Sequence, residues 1–284
     1  MPELPEVETI RKQLDRVLRG EEIEKVEVLR KKSFQGRKKS LVGKKIKRVV
    51  RKAKLLVMVV EGGERLLVHL KMTGQLILIK KGGKRVVGGH PTVDWVNDLP
   101  SKHTRVVISF VKGGKLYFND MRVFGWIKLV KGEEWKELKK KMPVDVIDKG
   151  FTQKYLREVL RNSRRAVKLV IMDQKKMGGV GNIYANDGLY LAGIKPDREA
   201  KSLSNKEVLK LHKNLIRVIK EGIRMGGATA SDEKFVSVYG LGGKYQEKFR
   251  VYDQQGKKCQ KCGKKIKKVK LGGRGTYFCS KCQI

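Results

Sequence analysis

The chain begins Met1-Pro2-Glu3-Leu4-Pro5-Glu6-Val7-Glu8, and the rest of the sequence is organised around these eight residues. If Met1 is removed, Pro2 becomes the N-terminus. Its ring nitrogen is then a secondary amine able to attack an aldehyde-like carbon and form an iminium. An α-amino group titrates near pH ~8, so a useful fraction is neutral and nucleophilic at neutral pH. Glu3 is an adjacent carboxyl group, close enough for proton transfer. Pro5 suits the first turn of a helix, where its missing N–H leaves no bond unmade. Val7, Ile10, Leu14, Val17 and Leu18 follow at helical spacing, which predicts a buried helix holding Pro2 and Glu3 at its positive end. That end favours the neutral amine, while Glu3 and Glu6 oppose it. Taken alone, the same stretch also reads as an ordinary helix start with acidic residues in its first turn.

Beyond this helix the pattern turns to strands. Residues 45–50, 55–60, 66–70 and 75–79 are apolar-rich runs, with Glu61-Gly62-Gly63 as a turn. Residues 105–110 and 115–118 flank Gly113-Gly114 and read as a hairpin. Several short strands with regular turn signals predict a β-sandwich or barrel. Residues 80–102 are rich in Gly, Pro and Lys and read as a loop. The character changes near Gly132. Helices are expected over 133–142, 152–162, 167–173, 183–191 and 204–225. The last has an apolar stripe of Val208, Leu211, Leu215, Val218, Ile219 and Ile223, opened by Ser204 and Glu207 as a capping box. Residues 226–250 are Gly-rich with interspersed aromatics and read as a long functional loop. No internal repeat is present.

Composition narrows the partner. Lys+Arg number 67 against 29 Asp+Glu, a net charge of +38 in 284 residues. Such an excess, spread among structured patterns, calls for a polyanion, most simply nucleic acid. No apolar run reaches the length of a membrane span, and the start lacks a basic-then-apolar signal, so a cytoplasmic protein is expected.

All four cysteines fall near the end, as Cys259-x-x-Cys262 and Cys279-x-x-Cys282 with sixteen residues between the pairs. In a cytosolic chain this spacing indicates one tetrahedral zinc rather than disulfides. Four protein ligands leave no open position, so the zinc is structural.

Other stretches carry weaker signals. Met177-Gly178-Gly179-Val180-Gly181-Asn182-Ile183-Tyr184-Ala185 is a glycine-rich turn before a helix, suited to a phosphate or simply to tight packing. Lys54, in Arg51-Lys52-Ala53-Lys54, sits at a strand edge. Met72, in Lys71-Met72-Thr73-Gly74, and Phe124, in Asp120-Met121-Arg122-Val123-Phe124-Gly125, lie at turns after strands. With Arg122 they could wedge into a base stack. Taken singly, Met72 and Phe124 read as core residues, and Lys54 and Arg122 as solvated surface charges. His69, at a strand end, reads as structural.

Together these pieces, in this order and with His69-Leu70 and Arg274-Gly275-Thr276-Tyr277-Phe278-Cys279, resemble the formamidopyrimidine-DNA glycosylases of the Fpg/Nei family. The resemblance covers almost the full length. It implies an α+β fold with three parts: an N-terminal catalytic β-sandwich with flanking helices at 1–131, a helix–two-turn–helix domain with lesion loop at 132–250, and a zinc-finger β-hairpin at 251–284. It implies a glycosylase and abasic-site lyase acting on double-stranded DNA with oxidised bases or abasic sites, as a bacterial-type cytoplasmic monomer. Pro2 is then the nucleophile and Glu3 the acid/base, and Lys54 contacts DNA and assists catalysis. Met72, Arg122 and Phe124 fill the void left by a flipped nucleotide, with Lys71 beside them on the DNA. His90 corresponds to a DNA-contacting histidine. Asn182 and Arg274 grip the phosphates, Arg274 from the zinc-finger loop. Segment 226–250 matches the region that closes over an everted base in the oxidised-purine branch. The chain departs from the family's usual proline at Met121, arginine at Val123 and glycine at Lys71, which bears on the wedge geometry. Two alternatives stay open: the endonuclease VIII-like branch for oxidised pyrimidines, and a non-catalytic zinc protein that binds damaged DNA.

Overall fold

The computed structural model describes residues 1–83, 85–89, 99–229 and 242–284. The chain forms two compact units, residues 1–141 with 226–243, and 142–225 with 244–284.

The first unit begins with α1 (Leu4–Leu18), whose buried stripe of Leu4, Val7, Ile10, Leu14 and Leu18 follows the predicted spacing. Ten strands follow: β1 (Ile23–Val28), β2 (Phe34–Gln35), β3 (Ile46–Lys52), β4 (Leu55–Val60), β5 (Arg65–His69), β6 (Gly74–Ile79), β7 (Arg85–Gly89), β8 (Thr104–Phe110), β9 (Lys115–Asp120) and β10 (Trp126–Val130). They make two five-stranded sheets, ordered β1-β8-β9-β6-β7 and β2-β10-β5-β4-β3. Among the described residues, every pairing of these strands is antiparallel except β10 with β2. The inner faces share one core. Leu76, Leu78, Ile108, Phe110, Leu116 and Phe118 of one sheet join Val49, Leu56, Met58, Val60, Leu66, Val68 and Ile127 of the other, and α1 adds Val7, Ile10, Leu14 and Leu18. This is the sheet-on-sheet arrangement of a β-sandwich. Helix α2 (Gly132–Lys141) closes the unit with no fully buried residue.

The hairpin around Gly113-Gly114 is as read from the sequence, with Ile108 opposite Leu116. The expected loop over 80–102 is corrected in part: β7 pairs with β6, Val87 opposite Ile77. Its short Val86-Val87 core sits between basic residues and Gly88-Gly89, which masks the alternation. Strand β1 also escaped notice, because a bulge between Ile23 and Lys25 breaks its period of two.

The second unit contains α3 (Gln153–Arg161), α4 (Val167–Ile171), α5 (Asn182–Ala192), α6 (Asn205–Arg224) and the hairpin β11 (Lys267–Leu271)–β12 (Arg274–Phe278). Ser204 caps α6 through the expected capping box with Glu207. Helix α5 is buried almost throughout and packs against α6 at small residues. A side chain at Gly222 would begin 2.5 Å from the Tyr184 ring, so only glycine permits this approach. Buried Asp187 on α5 accepts the backbone N–H groups of Arg250, Val251 and Tyr252, which anchors the segment entering the zinc hairpin. Among the described residues, no helix is long and apolar enough to cross a membrane.

Candidate active site and nucleic-acid interface

Pro2 is buried, and Glu3 and Glu6 are each only 2% exposed, at the N-terminus of α1. The two carboxyl groups close a capping box, each reaching the other's backbone N–H. The Glu3 N–H donates to Glu6 Oε2 at 2.9 Å. The other oxygen, Oε1, accepts from the Ala228 N–H at 2.8 Å, so one carboxyl group bridges the start of α1 and the strip 226–229. Glycine is required beside it. Gly227 has φ +91°, and a Cβ there would lie 2.9 Å from Glu6 Oε1.

Lys54 lies in the tight turn between β3 and β4 and is 5% exposed, not the solvated charge that its isolated reading suggested. The turn is tied to α1. Arg51 Nε donates to Glu8 Oε2 at 2.9 Å, and Arg51 Nη1 donates to the Ala53 carbonyl at 2.8 Å. Glu8 also accepts from Arg11. Burial works against the charged Glu8 carboxylate, but the bonds to Arg11 and Arg51 outweigh it and hold its pKa below the usual range. Ala53 takes a left-handed φ of +50°, which this latch over-determines.

His69 ends β5 near Lys54 and Lys71. Its Nδ1 accepts the Lys71 N–H at 3.0 Å, which leaves Nε2 as the protonated nitrogen of the neutral ring. Burial, followed by the positive charges of Lys71 and Lys54, pushes its pKa down to about 3. His69 is therefore neutral near pH 7, beside two lysines.

The two turns read as a wedge emerge from the same end of paired strands, where Gly74 of β6 faces Asp120 of β9. Phe124 is 51% and Met121 48% exposed, so neither is a core residue. Arg122 is exposed and lies over the Phe124 ring, its guanidinium carbon 4.9 Å from the centroid. Met72 and Lys71 are half-buried. Lys71 and Val123 both adopt left-handed backbone, φ +51° and +55°. The glycine usual in the family at Lys71 fits that conformation without strain, and a β-branched valine fits it poorly. His90 lies outside the described residues.

In the second unit, Asn182 opens α5 directly after Gly181 and is 8% exposed. The turn before it is held by Gln174, which accepts the Gly179 N–H and donates to the Val180 carbonyl. One turn along α5, Asn186 donates to the Asn182 carbonyl and accepts the Tyr277 N–H of β12. That link joins the element bearing Asn182 to the hairpin bearing Arg274. Arg274 is exposed and pairs with Leu271 across the Gly272-Gly273 turn. Behind it, wholly buried Lys168 on α4 donates to the Gly275 carbonyl at 2.9 Å and to Thr276 Oγ1 at 2.7 Å. Sequence reasoning passed over Lys168, although a lone lysine inside Val167-Lys168-Leu169-Val170 was the available signal.

The four cysteine sulfurs lie within 4.8 Å of one another, with Cys262 and Cys279 at 3.5 Å and Cys259 and Cys282 at 3.9 Å. Zinc–sulfur bonds of about 2.3 Å in a tetrahedron place sulfurs about 3.8 Å apart, so the set fits one zinc. The Cys279 N–H donates to Gln283 Oε1, and the Gln283 side chain donates to the Ile194 carbonyl, which fastens this knuckle to the helical unit. Such support orients the ligands.

A β-sandwich with a Pro-Glu helix start, a glycine-turn helix pair and a four-cysteine hairpin on a strongly basic chain define a zinc-bearing nucleic-acid-processing protein. Comparison with known proteins gives the family. Residues 1–127 match the formamidopyrimidine-DNA glycosylase N-terminal domain, 142–234 its H2TH domain, and 256–284 the zinc finger found in FPG and IleRS. The formamidopyrimidine-DNA glycosylase of Pelotomaculum thermopropionicum is 38% identical over 100% of this chain and 99% of its own. That of Bacillus licheniformis is 36% identical with the same coverage. The crystal structure of a Lactococcus lactis FPG variant with DNA containing Fapy-dG aligns with TM-score 0.87 and 32% identity, covering 99% of both chains. The Lactococcus lactis enzyme with abasic-site DNA aligns with TM-score 0.86 and 31% identity over 99% of both. The chain belongs to the formamidopyrimidine-DNA glycosylase family.

Proposed function

We propose that this protein is a bifunctional DNA glycosylase and abasic-site lyase of base-excision repair, acting on oxidised purines in duplex DNA in the bacterial cytoplasm. The observation that carries the reading is the buried Pro2-Glu3 pair at the start of α1, in a chain that aligns end to end with formamidopyrimidine-DNA glycosylases. The names and complexes of these relatives, with Fapy-dG and abasic-site DNA, support the substrate class.

The chemistry follows from the residues. A damaged base inside the stack is out of reach, so its nucleotide is rotated out at a cost of a few kcal/mol. Met72, Arg122 and Phe124 fill the gap. Asn182 and Arg274 hold phosphates, and the net charge of +38 attracts the backbone. The Pro2 amine, freed by removal of Met1, attacks C1′ as the bond to the base breaks. Glu3 protonates the ring oxygen and opens the sugar, giving an iminium between Pro2 and C1′. The iminium acidifies the C2′ proton. Its loss expels the 3′ phosphate by β-elimination, and a second proton loss expels the 5′ phosphate by δ-elimination. Water then hydrolyses the iminium and releases Pro2. Lys54, buried near His69, supplies a fixed positive charge beside the reacting sugar. The four cysteines would hold one zinc, which fixes the fold of the hairpin carrying Arg274 and takes no part at the reacting carbon.

The test compares wild type and Glu3→Gln on duplexes carrying one 8-oxoguanine, one thymine glycol or no lesion. The reading expects wild type to excise 8-oxoguanine and Glu3→Gln to bind that duplex without excising it. Full excision by Glu3→Gln removes Glu3 from its role. Faster excision of thymine glycol than of 8-oxoguanine moves the protein to the oxidised-pyrimidine reading, which is also represented among similar structures by a Lactococcus lactis FPG complex with oxidised-pyrimidine DNA.

A further inference from the structure

We propose that Asp120, acting with Thr73, is a positioning residue that locks the Met72 turn and the Arg122–Phe124 turn into a single rigid wedge. The inference rests on the reading above, which places those side chains in the gap left by an everted nucleotide.

The two turns are far apart in sequence and share no strand, yet one buried carboxyl group serves both. Asp120 is wholly buried at the last position of β9, and Thr73, 5% exposed, sits just before β6. Thr73 Oγ1 donates to Asp120 Oδ1. The Arg122 N–H then donates to Thr73 Oγ1 at 3.0 Å and to Asp120 Oδ1 at 3.2 Å. The second oxygen, Oδ2, accepts the Gly125 N–H at 2.6 Å. The clamp thus grips the 121–125 turn at both ends and the 71–74 turn at its centre. Arg105 Nε donates to the Asp120 carbonyl at 2.8 Å and fixes the backbone beneath.

Two further features show that the turns are held rather than relaxed. Lys71 and Val123, one in each turn, take left-handed φ of +51° and +55° without being glycine. Such residues persist where the surroundings over-determine them. The packing also leaves no slack. A Cβ at Gly125 would lie 2.9 Å from the Phe118 ring and 3.0 Å from the His69 carbonyl, and one at Gly74 would lie 2.3 Å from the Leu70 carbonyl. Exposed Phe124, under Arg122, and half-buried Met72 are carried on this closed base. Wedging a base stack spends binding energy on unstacking, and a wedge that yields under load cannot transmit it. Asp120 touches neither the sugar nor the base, and acts through Met72, Arg122 and Phe124.

The test uses the full zinc-loaded chain and three variants, Asp120→Asn, Thr73→Val and Thr73→Ser. Three readouts are taken: single-turnover excision from an 8-oxoguanine duplex, strand cleavage of an abasic-site duplex, and 2-aminopurine fluorescence beside the lesion as a report of unstacking. An abasic site has no base to unstack, so its cleavage draws least on the wedge. Asp120→Asn and Thr73→Val should slow 8-oxoguanine excision by about tenfold or more and reduce the 2-aminopurine signal, with abasic cleavage changed by no more than about twofold. Thr73→Ser keeps the hydroxyl and should restore both. Equal losses on the two substrates, or wild-type behaviour of Thr73→Val, overturn the proposal. If wild type itself cleaves neither duplex, the functional reading fails, and the 2-aminopurine signal still decides the clamp: an unchanged signal in Thr73→Val overturns it.

Discussion

Replacing Glu6 by glutamine tests the most exacting local arrangement in the molecule. The Glu6 carboxyl group is buried and uses both oxygens on backbone donors, the Glu3 N–H at 2.9 Å and the Ala228 N–H at 2.8 Å. Glutamine has the same shape but one acceptor. Either orientation of the amide leaves one N–H facing another donor. Losing one hydrogen bond to a carboxylate and stranding a buried N–H each cost about 1–3 kcal/mol, and partial relaxation gives a net loss of about 2–4 kcal/mol. At about 2–4 °C per kcal/mol for chains of this size, melting of the first unit should fall by roughly 5–15 °C. Differential scanning calorimetry reads the shift, and hydrogen exchange reads which donor is released, with the Glu3 or Ala228 amide exchanging faster. A melting temperature within about 1 °C of wild type, with both amides still protected, would refute the bridging role of Glu6.

Further outcomes follow from the same geometry. Lys71→Gly and Val123→Gly should each stabilise the protein by about 0.5–1 kcal/mol, because relief of left-handed strain exceeds the added chain entropy of glycine, whereas alanine at these sites should not. A fall in melting temperature for both glycine variants would contradict the strain assignment. The His69 pKa drops from 6.5 in the unfolded chain to about 3 in the folded one, so its contribution is full above pH 6.5 and is lost as pH falls from there toward 3. Within that window the group adds a slope of about 1.4 kcal/mol per pH unit, and His69→Gln should flatten the stability profile only there. Glu207, held at a pKa of about 2 chiefly by its bond to Arg198, has a contribution present above pH 4.5 and lost as pH falls toward 2. Glu207→Gln should therefore lower the melting temperature near pH 7, and the difference from wild type should shrink as pH falls from 4.5 toward 2. Chelating the zinc should unfold the β11–β12 hairpin by circular dichroism and abolish DNA cleavage, and adding zinc back should restore both. Retained cleavage by metal-free protein would remove the hairpin and Arg274 from the mechanism.

Much of this site was legible in the sequence because its signals are local. The α1 stripe, the Pro2-Glu3 start and the two Cys-x-x-Cys pairs each lie within one element or knuckle. The two turns proposed as a wedge were also visible, although Phe124 taken singly read as core and proved half-exposed. What escaped was nonlocal. Asp120 reaches Thr73 across 47 residues and Glu6 reaches Ala228 across 222, and no spacing rule joins them. In a chain full of lysines, Lys54 taken singly read as a surface charge and Lys168 was passed over. Their burial depends on Arg51 bending back to Ala53 in one case and on the β12 carbonyls arriving beside α4 in the other. Strands β1 and β7 were obscured by a bulge and by terminal glycines, both of which erase alternation without preventing pairing.

The proposed reaction requires the Pro2 amine to form a covalent iminium with a damaged nucleotide. Borohydride reduction during reaction with an 8-oxoguanine duplex tests it directly, using protein shown by N-terminal mass spectrometry to begin at Pro2. The expected result is a protein–DNA adduct on the damaged strand, mapped by peptide mass spectrometry to Pro2, and none with a variant that retains an extra N-terminal residue. An adduct mapped to a lysine with Pro2 unmodified, or no adduct from zinc-loaded protein with a free Pro2, would contradict it.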